Sequence, residues 1–72
     1  MYITHYRIHL ISGQVIHVSE GRKDREEKDL IDRYKDILPE GLLEVAPGSF
    51  PTAYIPASSI LYISKVSEEF AA

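Results

Sequence analysis

The chain contains no cysteine and no tryptophan, and a single methionine. Without cysteine it has no disulfide framework and no thiolate zinc site. That absence matters at this length. A domain of 72 residues buries only roughly 60–65% of the surface its unfolded chain exposes, and small domains lean on disulfides, metals or partner copies for the remainder. With disulfides and thiolate zinc sites removed, a homo-oligomer or a protein partner is the expected support. Long apolar runs are also missing. Nothing approaches the roughly 20 residues of a membrane span, and MYITHYRIHL lacks the basic-then-apolar order of a signal peptide. A cytoplasmic protein with no membrane partner is expected. There is no basic excess either: 8 Lys and Arg against 11 Asp and Glu leave a net charge of −3, which does not favour nucleic acid. No repeat, linker or low-complexity stretch divides the chain, so residues 1–72 read as one domain.

What the sequence does contain is alternation. Tyr2, Thr4, Tyr6, Ile8 and Leu10 fall on one face of a strand, and Ile3, His5, Arg7, His9 and Ile11 on the other. Ser12 and Gly13 break the pattern, and QVIHVSE resumes it, which predicts a hairpin of strands 2–11 and 15–20. Setting Leu10 against Ile16 and Ile8 against Val18 keeps the apolar residues on one face and leaves a three-residue loop, Ser12 to Gln14. In that register His9 lies opposite His17. Directly opposed Cβ atoms are about 4.5–5.5 Å apart, close enough for two imidazoles to share a metal. His9 and His17 are therefore the candidate metal ligands if a metal is held at all; Arg7 beside them opposes it, and a solvated or interface pair is preferred.

From Asp24 the period lengthens. Leu30, Ile31, Tyr34, Ile37 and Leu38 form one helical stripe. Asp24 with Glu27 reads as a capping box, and Asp24–Lys28, Arg25–Asp29 and Asp29–Arg33 are opposite charges four apart. Pro39 and Gly41 stop the pattern, so a helix over about 24–38 is predicted. The run RKDREEKD reads as its solvated start. LLEVA, TAYI and ILYISKV follow as strands at about 42–46, 52–56 and 60–66, with Phe50 at the tip of the GSFP loop and SEEFAA as a frayed tail. Ile3, Ile11 and Val15 on the histidine face imply that this face is covered, either by the helix or by another subunit.

In YIPASSILYIS, Pro56 cannot donate a ladder hydrogen bond and must end or bend its strand. Ala57, Ser58 and Ser59 are small enough for one 3₁₀ turn. Tyr54, Ile55, Pro56 and Ile60 resemble the Tyr-Ile-Pro-Ser-Asn-Tyr-Val pattern near the end of Src-homology-three domains, with Ser59 where that family has a groove tyrosine. Ile55, Ile60, Tyr62 and Ile63 are similar to the second signature of Sm-like proteins, with Pro56 to Ser59 in place of its RNA-binding Arg-Gly-Asn-Asn. Leu10 to Gly13 resembles the Leu-x-x-Gly hairpin of the first Sm signature. Both resemblances imply an α+β protein: a small five-stranded antiparallel barrel, here with one amphipathic helix inserted after the first hairpin. Gly13, Pro56, Ser58 and Ser59 then serve its turns.

No Gly-x-Ser-x-Gly or Ser-x-x-Lys pattern supports catalysis, and no enzyme activity or cofactor is expected. The leading expectation is a non-catalytic interaction module that self-associates or binds a protein. An Sm-like nucleic-acid-binding ring is the first alternative and would gather Arg7, Arg22, Lys23 and Lys65 on one surface. A histidine-based metal-binding or hydrolytic protein is the second.

Overall fold

A computed structural model describes residues 1–24, 26–46 and 51–70. Its elements run β1 (Tyr2–Leu10), β2 (Val15–Arg22), α1 (Leu30–Ile37), β3 (Leu42–Val45), β4 (Ala53–Pro56), a 3₁₀ turn (Ala57–Ser59) and β5 (Ile60–Phe70). The strands form two antiparallel sheets, β2-β1-β5 and β3-β4. The α+β class and the element order match the expectation from the sequence. The barrel does not: the two sheets are not closed on each other. Between β2 and β3, Arg33 of α1 stands where a further ladder would close the ring. Its guanidinium holds both carboxylate oxygens of Glu20 on β2, at 3.0 and 2.5 Å, and reaches the Glu44 carbonyl of β3 at 3.4 Å.

The alternation of β1 predicts its buried face correctly. Thr4, Tyr6 and Ile8 are buried, and Tyr6 and Ile8 meet Val18 of β2, Leu30 of α1, Leu43 and Val45 of β3, Ile55 of β4 and Ile60 of β5 in one core. The helix and the small sheet therefore pack on this inner face. The histidine face lies on the other side, and the helix does not cover it.

The hairpin loop has the predicted length but sits one residue earlier, at Ile11 to Gly13. Ile8 pairs with Ile16 and Tyr6 with Val18, and Gly13 takes φ 93°, as expected of a glycine at the end of a three-residue loop. The Leu10 amide donates to Gln14 O and the Gly13 amide to Leu10 O, at 2.9 and 3.0 Å. Faces are preserved because each pair shifts by two in total; partners are not. His9 now faces Val15, and His17 faces Arg7.

The helix is shorter than predicted, and its cap is a different aspartate. Asp29 is the N-cap, and its carboxylate accepts from the Asp32 amide at 2.9 Å while Asp32 accepts from the Asp29 amide. Asp24 still binds the amides of Glu26 and Glu27, at 2.8 and 3.1 Å, but this turn does not propagate. The reason is burial: no apolar residue stands between Asp24 and Leu30, and helices of this size depend on packing an apolar stripe. Outside a helix the four-residue charge spacing means nothing, so Lys28 pairs with Asp36 and Arg33 with Glu20 instead. Arg25, the Phe50 loop tip and the last two alanines lie outside the described residues.

Gly41 follows the helix because nothing larger fits. A Cβ there would lie 2.6 Å from Ile37 Cβ and 2.8 Å from Ile37 O. Its amide bonds the Ile37 carbonyl and its carbonyl takes the Ala57 amide, which ties the helix end to the 3₁₀ corner. Ile11 N bonds Ser59 O at 3.0 Å, so the corner also clamps the hairpin loop. Pro56, Ser58, Ser59 and Gly13 sit at the turns where the sequence places them.

Candidate interaction surface

β5 is longer than the sequence suggests. The expected frayed tail pairs instead with the start of β1, Ser67 against His5 and Phe70 against Tyr2, so the strand continues to Phe70. Two register shifts leave Val66 and Leu61 as extra residues. Each shift inverts the in–out alternation. Tyr62 and Ser64 therefore share the outer face with Ser67 and Glu69, opposite His9, Arg7, His5 and Ile3 respectively. Lys65 and Glu68, three apart, come to the same inner side with Nζ and Oε1 3.7 Å apart, which an unbroken strand would forbid.

The outer face of β2-β1-β5 carries all of the chain's histidines. His5 sits between β2 and β5: its Nδ1 is 2.7 Å from Ser19 Oγ and its Nε2 3.2 Å from Glu69 Oε1. His9 stacks on Tyr62 with ring centroids 4.1 Å apart and planes at 17°, and its Nε2 lies 3.4 Å from Ser64 Oγ. His17 is exposed beside Arg7, an arrangement that works against a cation between the two imidazoles. Among the described residues no cluster of three or more metal-ligating side chains forms. Arg7, at the centre of this face, is exposed and has no hydrogen-bond or ion-pair partner among the described residues.

The four cations singled out in the sequence do not converge. Arg7 is on the outer face. Arg22 and Lys65 are on the inner face, both directed at Glu68, with Arg22 Nη2 2.7 Å from its Oε1. Thr4, buried in the sheet, donates to the same oxygen at 3.1 Å. The Arg22 hydrogen bond, helped by Thr4 and Lys65, holds the Glu68 carboxyl below its ordinary range against the opposing effect of desolvation. Arg22 Nε is buried without a partner among the described residues. Lys23 is exposed just beyond β2, its amide bonded to Glu27.

A cleft of about 440 Å³ opens on the inner side, lined by Tyr6, Glu20, Arg22, Lys28, Asp29 and Arg33 among others. Its cations are already paired: Arg33 with Glu20 inside the cleft, and Arg22 with Glu68 and Lys28 with Asp36, two carboxylates outside its lining. Burial pushes the Tyr6 hydroxyl above its usual range, and the Asp29 carboxylate adds to the shift.

The free edge of β5 completes the surface. The strand is eleven residues long and, among the described residues, lies at the end of its sheet with β1 as its one neighbour. Leu61, Tyr62, Val66 and Phe70 along it are 63, 50, 49 and 66% exposed. Sequence reading missed this edge because SEEF has the polarity of a tail; the alternating run YITHY, which it pairs, was the one available signal. No helix among the described residues is long and apolar enough to cross a membrane. No protein-family model, curated protein or solved structure matches the chain.

Proposed function

We propose that the chain is a non-catalytic interaction module that self-associates through the free edge of β5. The observation that carries this reading is the edge itself: a long row of unpaired backbone groups flanked by four large apolar side chains that the chain leaves about half exposed or more. Open edges of this kind pair with another strand unless they are blunted, and a domain this small gains stability from doing so. The 3₁₀ corner at Ala57–Ser59 is the feature held in common with Sm-like and Src-homology-three barrels; the gap between β2 and β3 is the departure.

The catalytic alternative rests on the Ser19–His5–Glu69 row, a hydroxyl, an imidazole and a carboxylate in line. Acyl transfer also needs donors aimed at a developing oxyanion and a site that excludes water. This row lies on an open sheet face with Ser19 and Glu69 exposed, away from the cleft. It is read as a surface hydrogen-bond chain. An RNA-binding ring draws less support, because its cations fall on two faces and two of them are neutralised by Glu68.

Absolute mass in solution, measured by light scattering at two salt concentrations, tests the proposal. A dimer or larger closed assembly is expected. A monomer up to high micromolar concentration overturns it.

A further inference from the structure

Resting on the strand-edge reading, the geometry points to one partner and one register: a second copy of the chain, joined β5 to β5′ about a two-fold axis between Lys65 and Val66, with Arg7 of each copy meeting Glu69 of the other. Dimers of identical chains are overwhelmingly two-fold, and a two-fold contact must be self-complementary. If two sheets become one, outer-face residues must oppose outer-face residues, because a slip of one reverses every side chain. In an unbroken strand the outer positions would all share one parity. Here the extra residue at Val66 makes them Tyr62 and Ser64 on one side of it and Ser67 and Glu69 on the other.

The antiparallel self-pairing that matches all four sets Ser64 against Ser67′ and Tyr62 against Glu69′. The same register places Ile63 against Glu68′, Lys65 against Val66′ and Leu61 against Phe70′. The last pair brings together the two most exposed apolar side chains of β5, 63 and 66% open in the single chain, and does so twice. A pairing slipped by one residue puts outer positions against inner ones; an axis between Val66 and Ser67 keeps the faces but matches only Ser64 with Glu69′ and sets Ser67 against the extra residue Val66′.

Charge agrees with the register. Among the described residues Arg7 is the one cation of the outer face and has no partner, and the exposed Glu69 is the one carboxylate of that face, held by a single imidazole contact. Arg7 lies beside Ser64, so Glu69′ stands two strand spacings away, about 10 Å across the sheet, and one pair position along it. That diagonal is within the combined reach of an extended arginine and a glutamate, passing over the small Ser64 and Ser67′. A second copy thus supplies the acid that Arg7 lacks.

Two experiments separate this register from the broader reading. The chain has no cysteine, so a Ser64→Cys/Ser67→Cys variant carries only the two thiols the register opposes. Under mild oxidation it is expected to give a covalent dimer in high yield, whereas Ser64→Cys or Ser67→Cys alone gives little. In sedimentation equilibrium at low salt, Arg7→Glu and Glu69→Arg are each expected to raise the dimer dissociation constant about tenfold or more. The combined charge swap is expected to return it to within about threefold of the parent, with circular dichroism confirming that every variant is folded. A dimer that does not cross-link at these positions, or in which the two charge reversals simply add, overturns the register while leaving strand-edge association standing. A monomeric parent chain overturns both.

Discussion

Asp24 reads as the helix cap in the sequence, and the structure gives that role to Asp29. Asp29 caps α1 through Asp32, so Asp29→Ala is expected to cost about 1 kcal/mol, the usual value of an N-cap. Asp24→Ala removes a solvated turn and is expected to change stability by no more than about 0.5 kcal/mol. Urea titrations of the two variants check the contrast. Gly41 makes a sharper case. Its missing Cβ is the space in which Ile37 sits, and the nearest atoms include backbone that cannot swing away. Gly41→Ala is expected to destabilise by about 1–3 kcal/mol, the range for overpacking, measurable in the same titration. Gly41 was legible as a helix stop, but not its contact with Ile37; the cap was not legible, because a capping motif describes local chemistry and whether a helix follows depends on what the next turns can bury.

Among the elements, β1 was readable because its alternation is clean and one face is wholly apolar or small. β5 was not. Its two extra residues, Leu61 and Val66, break the alternation that would have announced its faces, and its polar end is a strand only because Tyr2–His5 lie alongside. The histidine pairing failed for a related reason. Face parity fixed which residues share a side but not which of two equivalent registers joins them, so the expected His9–His17 pair became His9–Val15 and Arg7–His17. The barrel expectation failed at Arg33, whose guanidinium bridges β2 and β3 without a ladder. Replacing Arg33 by leucine is expected to cost about 1–2 kcal/mol: a charged hydrogen-bonded pair is worth up to about 3 kcal/mol when dry, discounted here because the two side chains remain 35 and 25% exposed. A double-mutant cycle with Glu20→Gln isolates the coupling.

For the molecule as a whole, the titrating groups set a pH window. Glu68 is held below its ordinary range, chiefly by the Arg22 hydrogen bond. Asp29 is pushed up by burial, but the hydrogen bonds from Asp32 outweigh this, and its net shift is also downward. A carboxyl lowered on folding contributes stability above its unfolded pKa, about 4, and loses that contribution as pH falls through the lowered folded value. Tyr6 is shifted upward by burial, so its ionisation works against the fold once pH rises beyond about 10. Thermal melts are expected to show a plateau between these limits, with Glu68→Gln lowering the plateau and flattening the acid limb; an unchanged acid limb contradicts the assignment.

The unclosed seam between the two sheets has a consequence for how the native state breathes. β3 and β4 are four residues each, and a lone two-stranded sheet is marginal in water. They join the rest through the core, the Arg33 bridge and the Gly41–Ala57 hydrogen bond, with no ladder to carry protection from one sheet to the other. Amide hydrogens of Leu43 and Ile55 should therefore exchange with solvent through a partial opening of low free energy, while those of Tyr6 and Ile8 wait for global unfolding. The small sheet would lift as a flap, hinged at the 3₁₀ corner, while the three-stranded sheet and its outward edge stay intact.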